Sequence, residues 1–163
     1  TSDNQEAFDQ GVASVDITSD NQSSYDEGYS AGLATVGGCD FTDAVLSGDD
    51  LTNAILDNAN MTNAILNGTN MTSADLNNAN LEGANLTGAV LDGADLSNAN
   101  MVSANLSGTF LSNADLTGAD LDNANLFGVY WNNTTCPDGT KSDNNGFTCC
   151  GHLNGAAPSV GCN

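Results

Sequence analysis

Positive charge is almost absent from this sequence of 163 residues, which has one Lys, no Arg and one His against 21 acidic residues. The formal net charge of −20 at pH 7 repels DNA, RNA and anionic lipid, and it attracts cations or a basic protein surface. The sequence also lacks an apolar run of membrane-spanning length. We therefore expect no nucleic-acid partner and no insertion into a membrane.

The residue types that catalysis needs are nearly absent as well. The single histidine, His152, lies in a glycine-rich segment, and no Arg is present to bind an anionic substrate. The sequence contains neither a phosphate-binding loop nor a dinucleotide-binding glycine motif. We therefore expect no enzymatic activity, no catalytic residue and no organic cofactor.

The five cysteines are unevenly distributed. Cys39 stands alone, and the last 28 residues hold the other four, which are Cys136, Cys149, Cys150 and Cys162. The polar tail that contains them cannot form a core of its own, so we expect disulfides to hold it together, with the adjacent cysteines bonded to different partners. A zinc site is the alternative, although no C-x-x-C pair accompanies the one His. Disulfides imply an oxidising compartment, and we expect that an export segment preceding Thr1 has been removed.

A five-residue repeat fills the middle of the chain without a gap from Cys39 to Asn133. The third place of its nineteen units is always apolar, with fourteen Leu, three Met, Phe41 and Trp131. The first place is Ala in fourteen units. Neither the helical period of 3.6 nor the strand period of 2 gives a strict five. Repetition at this scale indicates a solenoid.

The exceptions at the first place reveal the length of one turn. Four of the five residues that replace Ala lie on a series with a step of twenty: Asp49, Thr69, Thr109 and Val129. Four units therefore make one square coil, and nineteen units make about 4.75 coils. We expect the first and third places to point inward and the other three to point outward, with Gly and Asn at the turns.

These units resemble the A-(D/N)-L-X-X motif of the pentapeptide-repeat family, as in ADLTGADLDNANLFG from Ala114 to Gly128. The resemblance covers 95 of the 163 residues. It implies an all-β solenoid, a right-handed quadrilateral β-helix, and no single function, because this fold is a scaffold. It also implies one alternative function, since some members resemble B-DNA in size and charge and bind type II topoisomerases.

A weaker repeat occupies the start of the chain, where TSDNQEAFDQG at Thr1–Gly11 aligns with TSDNQSSYDEG at Thr18–Gly28. Each copy opens with residues typical of a helix N-cap, and apolar residues follow at helical spacing. We therefore predict two short amphipathic helices. The predicted organisation is helices over 1–38, the β-helix over 39–133 and the cysteine-rich tail over 134–163.

An apolar ladder is predicted at the outward second place. Val90, Phe110 and Tyr130 are twenty residues apart, so they should stack on one side of the coil. Apolar side chains that cluster on the surface of such a polar chain are expected to be covered by other protein atoms. Either the tail covers Phe110 and Tyr130, or the ladder contacts another protein molecule.

An acidic stack is predicted on another side, where Asp75, Asp95 and Asp115 are also twenty residues apart. Like charges at strand spacing disfavour one another. Either each carboxylate bonds its own turn while water screens the rest, or a Ca²⁺ ion binds between them. The oxygen-rich segment Pro137–Gly146 is a second place where a cation could bind.

Two disulfides within the tail would use its four cysteines, which leaves Cys39 as the fifth. It is either a small buried thiol in place of Ala or the partner in an intermolecular bond. The open ends of a solenoid favour head-to-tail stacking of copies of the chain. We therefore expect a secreted structural protein that self-assembles into an extracellular filament or surface layer at a bacterial cell surface. A monomeric extracellular binding module that docks a partner through its aromatic ladder is a further alternative.

Overall fold

The repeat folds into a stack of square coils in the computed structural model, which describes residues 40–142, 148–150 and 153. Strand pairing along the stack consists of parallel bridges at single residues, each joining positions twenty apart. One coil therefore takes twenty residues, as the first-place exceptions predict. The predicted helices of 1–38 and Cys39 lie outside the described residues.

The bridges define four sides, which we number in chain order. Their bridging residues are, on side 1, Asp40, Asn60, Asn80, Asn100 and Asp120; on side 2, Val45, Ile65, Asn85, Asn105 and Asn125; on side 3, Asp50, Asn70, Val90, Phe110 and Tyr130; and on side 4, Ile55, Asp75, Asp95, Asp115 and Thr135. All of them occupy the second place of a unit. Within the described part of the chain, no helix is both long and apolar enough to cross a membrane.

Backbone hydrogen bonds run along the stack in a fixed pattern, which the unit 84–88 illustrates. The Asn85 N–H donates to the Ala64 carbonyl of the preceding coil, with an N···O distance of 2.9 Å. The Leu86 N–H donates to the Asn105 carbonyl of the following coil at 2.8 Å. Each coil is thus bonded to both neighbours, which satisfies the polar backbone groups that these short sides cannot pair within themselves.

The Asp or Asn at the second place completes this pattern. In unit 84–88, the Asn85 Oδ1 accepts a hydrogen bond from the Thr87 N–H at 3.2 Å. Asp40 makes the same contact with the Thr42 N–H at 3.0 Å. The Thr42 hydroxyl and N–H together hold the pKa of the Asp40 carboxyl below its usual value. This Asx turn gives the fourth-place N–H a partner, so the preference for Asp or Asn has a local physical cause.

The fifth place bends the chain at every corner. All nineteen fifth-place residues from Asp43 to Asn133 have positive φ, between 54° and 77°. The first-place N–H of the next unit closes the turn, as the Ala89 N–H does on the Leu86 carbonyl at 3.0 Å. Gly and Asn, which tolerate this left-handed region, supply sixteen of the nineteen residues.

We expect Ser103→Val to lower the free energy of unfolding by about 1 kcal/mol, because a β-branched residue is unfavourable in the left-handed region. Ser103 has a φ of 60°. Ser103→Gly removes the Cβ and should change stability little. Denaturant unfolding of both variants checks this expectation. Equal losses for Val and Gly would show that backbone conformation does not select the residue at the fifth place.

The core is a column of third-place side chains. From Leu46 to Leu126 these residues are at most 2% exposed, while Phe41 and Trp131 at the two ends are 6% and 7% exposed. The first-place alanines from position 54 to position 124 are buried as well. The predicted inward direction of both places is therefore confirmed.

Threonine replaces Ala at buried first places without leaving its hydroxyl unpaired. The Thr69 hydroxyl donates to the Leu46 carbonyl at 2.5 Å, and the Thr109 hydroxyl donates to the Leu86 carbonyl at 2.8 Å. Among the described residues, every buried side-chain nitrogen or oxygen has a hydrogen-bond partner. The exceptions to Ala are therefore compatible with a dry core.

The repeat geometry continues past the predicted boundary at position 133. Thr135 bridges Asp115 on side 4, and Cys136 takes a fully buried third place. The chain then reverses, because Thr135 also pairs antiparallel with Lys141. The predicted tail thus begins with one more unit of the column.

A disulfide joins Cys136 to Cys149, which confirms that the tail is disulfide-bonded. Cys150 is also disulfide-bonded, so the two adjacent cysteines have different partners, as predicted. Cys162 lies outside the described residues. The Cys136–Cys149 bond excludes these two thiols from a zinc site.

The tail covers the C-terminal end of the column. Cys149 and Leu153, which follow the last coil, are buried in the same core as Trp131. The Trp131 carbonyl accepts a hydrogen bond from the Ser142 hydroxyl at 3.1 Å. The inward residues of the last coil are therefore shielded from water by the tail.

Candidate interaction surface

The candidate site is the aromatic ladder on side 3, formed by Val90, Phe110 and Tyr130. Successive bridges join Val90 to Phe110 and Phe110 to Tyr130. The rings of Phe110 and Tyr130 stack with centroids 4.6 Å apart and planes inclined by 4°. The coil spacing of the β-helix imposes this distance, which suits aromatic stacking. The structure thus brings together the three side chains predicted to form a contact.

The aromatic ladder is open to solvent. Phe110 is 38% exposed and Tyr130 is 57% exposed, while Val90 is partly buried. Most of the tail beyond Ser142 lies outside the described residues, so the alternative in which the tail covers Phe110 and Tyr130 stays a prediction. The described tail residues Cys149 and Leu153 pack into the core at the end of the column.

Phe127 is an exposed aromatic residue that the sequence analysis missed. It is 68% exposed and stands at the corner leading into side 3, three residues before Tyr130. The equivalent positions of the earlier coils, 47, 67, 87 and 107, carry Ser, Asn, Thr and Ser. Phe127 could have been found in the sequence as the one aromatic residue in a series of polar residues spaced twenty apart. Phe127 places additional apolar surface at the C-terminal end of the ladder.

The acidic stack on side 4 bonds to its own turns. Asp75 bridges Asp95, which bridges Asp115, and each accepts a hydrogen bond from the N–H two residues further on. The Thr117 N–H, for example, lies 2.9 Å from the Asp115 Oδ1. In the described part of the chain, no group of three or more His, Cys, Asp or Glu is arranged to hold a metal ion. Binding of Ca²⁺ stays a prediction.

Salt should stabilise this protein, because 21 acidic residues on a chain of 163 repel one another with little positive charge to offset them. Raising NaCl from about 10 mM to about 1 M shortens the Debye length from about 30 Å to about 3 Å. We expect the melting temperature to rise over this range, and KCl should act equally. A rise specific to Ca²⁺ would indicate a bound cation, and an unchanged melting temperature would contradict the role of charge repulsion.

Comparison with known families identifies the repeat. The model of pentapeptide repeats matches in eight copies, over residues 39–78, 69–108 and 94–130. These segments span the described coils up to the last rung of the aromatic ladder. No curated protein sequence matches the chain.

Solved structures of pentapeptide repeat proteins are similar to this chain. A protein from the thylakoid lumen of Arabidopsis thaliana has a TM-score of 0.63 and 27% sequence identity over 80% of this chain and 83% of its own. A protein from Nostoc PCC 7120 has a TM-score of 0.54 and 36% identity over 60% of this chain and 78% of its own. The plasmid-mediated fluoroquinolone resistance protein QnrB1 has a TM-score of 0.48 and 17% identity over 73% of this chain and 67% of its own.

Proposed function

The chain belongs to the pentapeptide-repeat family, and on that premise we propose that it is a secreted, non-catalytic scaffold that docks a protein partner through its aromatic ladder. The scaffold is a right-handed quadrilateral β-helix with twenty residues in each coil. Pentapeptide-repeat proteins are generally structural or binding proteins, not enzymes. The observation that carries the proposal is the stacked and solvent-exposed pair of Phe110 and Tyr130.

An exposed aromatic pair is unusual on this surface. Most outward places carry Asp, Asn, Ser, Thr or Gly, which keep the column soluble. Aromatic residues are enriched in the centres of protein interfaces, because they bury a large area at a small entropic cost. A smaller exposed pair, Val45 and Ile65 on side 2, is aliphatic and lies near the start of the described coils. Side 3 is therefore the better candidate for docking.

An oxidising compartment is supported by the bonded cysteines. The Cys136–Cys149 disulfide closes the tail, and Cys150 is bonded too. Disulfides of this kind persist outside the reducing cytosol. The similar Arabidopsis protein comes from the thylakoid lumen, which is also outside the cytosol. A bacterial cell surface would provide the same redox environment, and we propose it as the location.

Binding to a type II topoisomerase is less well supported. The acidic charge suits a mimic of DNA, but the bonded cysteines suit a compartment that does not contain the enzyme. The likeness to QnrB1 is at 17% identity and concerns the fold alone. We therefore do not adopt this alternative.

Head-to-tail assembly is a second candidate, because the two ends of the column offer complementary backbone groups. The third-place N–H of Leu126 on the last coil and the second-place carbonyl of Val45 on the first coil face positions that no described coil occupies. Stacking requires the tail to lie beside the column, whereas Cys149 and Leu153 cover its end. Assembly of copies into a filament would therefore have to displace the tail.

Sedimentation and negative-stain microscopy of the full chain, isolated without reductant from its native source, separate these two candidates. We expect a discrete complex with a partner, which Phe110→Asp combined with Tyr130→Asp should abolish. Ile55→Asp is the matched control, because Ile55 is 40% exposed at the second place on side 4.

Fibres of uniform width that persist in the double variant would favour head-to-tail assembly over docking. A wild-type chain that sediments alone, like the double variant, would contradict docking through the ladder.

A further inference from the structure

We propose that the free face of the Tyr130 ring binds an arginine side chain of a basic protein partner. This inference rests on the docking surface proposed above and names the chemistry of its occupant. It follows from three features of the molecule: the open end of the ring stack, a second exposed aromatic at the same level, and the charge of the chain.

Tyr130 is the last rung of the aromatic ladder. Phe110 covers one face of its ring in parallel stacking, at a centroid distance of 4.6 Å. Phe110 itself lies between Val90 and Tyr130 in the bridge order. The exposure rises from 38% at Phe110 to 57% at Tyr130, as expected for a ring with a neighbour on one face only. Among the described residues, no ring stacks on the other face of Tyr130, which is directed towards the C-terminal end of the column.

Phe127 adds apolar surface in the same coil. It is 68% exposed and precedes Tyr130 by one corner of the square. An arginine combines a planar charged head with an apolar stem of three methylene groups. The face of the Tyr130 ring suits the planar head of an arginine, and the apolar side chain of Phe127 suits its stem.

The charge of the chain selects a cation as the occupant. The net charge of −20 draws basic surfaces towards the column. A cation over an aromatic face gains further attraction from the ring quadrupole. Arginine is favoured over lysine because its guanidinium is planar, stacks on rings and is more weakly hydrated.

The occupant cannot be a second copy of the chain. The sequence contains no Arg and only one Lys. The Nζ of that residue, Lys141, donates to the Asn133 carbonyl at 3.1 Å and to the Thr135 hydroxyl at 2.8 Å. The guanidinium must therefore come from a different protein.

Peptide binding to the full chain tests this inference at fixed ionic strength. The probes are a labelled peptide of alternating Arg and Gly, the same peptide with Lys for Arg, and a neutral peptide with Phe for Arg. We expect the wild type to bind the arginine peptide about two- to fivefold more tightly than the lysine peptide. Fluorescence anisotropy measures both affinities.

The preference for arginine should depend on the ring of residue 130. Tyr130→Val should remove it, and this change is compatible with the fold because Val90 occupies the equivalent place on the same side. Tyr130→Phe keeps the ring and should keep the preference. Ile55→Ala is the control on another side and should leave it unchanged. Circular dichroism of each variant verifies that the β-helix is intact.

Equal affinities for the arginine and lysine peptides, or a preference that survives Tyr130→Val, would overturn the inference. If the neutral aromatic peptide binds instead, and binds through Tyr130, the occupant is wrong while the docking surface stands. If none of the three affinities changes with Tyr130→Val, the binding is non-specific attraction and the inference fails. The docking surface is then judged separately, by the sedimentation of the Phe110 and Tyr130 double variant.

Discussion

Leu86→Ala should lower the free energy of unfolding by about 2–5 kcal/mol, measured by guanidinium chloride denaturation. Leu86 is fully buried at the third place, in the middle of the column. The coils above and below are fixed by backbone hydrogen bonds on every side, so the structure cannot collapse into the space left by the isobutyl group. The loss should therefore contain both the transfer term and a full cavity term.

Thr87→Ala is the matched control, because Thr87 is the next residue and lies exposed at the fourth place. Its hydroxyl donates to the Asn85 Oδ1 at 2.7 Å and accepts from the Asn105 Nδ2 at 3.0 Å, both on the surface. Surface substitutions and solvated hydrogen bonds contribute little, so we expect a loss within about 1 kcal/mol. Equal losses for the two variants would show that the assignment of inward and outward places is wrong.

Replacing both Cys136 and Cys149 by Ala should destabilise the protein by about 3 kcal/mol, the amount expected for opening a loop of this size. The two cysteines are 13 residues apart and both are fully buried. Without the bond, the unfolded chain gains conformational freedom. The packing of the tail residue Leu153 in the core near Trp131 also weakens. Denaturant unfolding without reductant provides the measurement.

Reduction with a thiol is not an equivalent experiment, because it also cuts the disulfide of Cys150. Hydrogen exchange of the double variant should show faster exchange in the last coil, while the coil around Leu86 keeps its protection. Unchanged stability together with unchanged exchange near Trp131 would contradict the role of the tail as a cover of the column.

The coils could be predicted from the sequence because every unit faces the same physical demands. An inward Leu, a small inward residue and a left-handed corner recur every five positions, so each position is specified many times over. The first-place exceptions Asp49, Thr69, Thr109 and Val129, which fall on a series with a step of twenty, were sufficient to give the coil length. The Asx turn at the second place, seen at Asn85, is likewise a local feature that needs no knowledge of the rest of the chain.

The course of the tail could not be predicted in this way. Its residues do not repeat, and their position depends on the reversal at Thr135–Lys141 and on a disulfide partner chosen among several cysteines. Whether the tail covers the end of the core or the aromatic ladder is a competition between two apolar surfaces. Sequence patterning marks both surfaces and does not rank them. Phe127 was missed for a related reason, since it breaks a polar column only once.

Site-specific photo-crosslinking tests the central claim most directly. A benzophenone amino acid replaces Phe110 in the full chain expressed in its native host, and a second variant carries the same amino acid at Ile55 on side 4. We predict that position 110 yields an adduct with one other protein, whose contact surface is basic, and that position 55 does not. Equal labelling at both positions, or adducts at 110 formed only between copies of this chain, would contradict docking of a partner on the aromatic ladder.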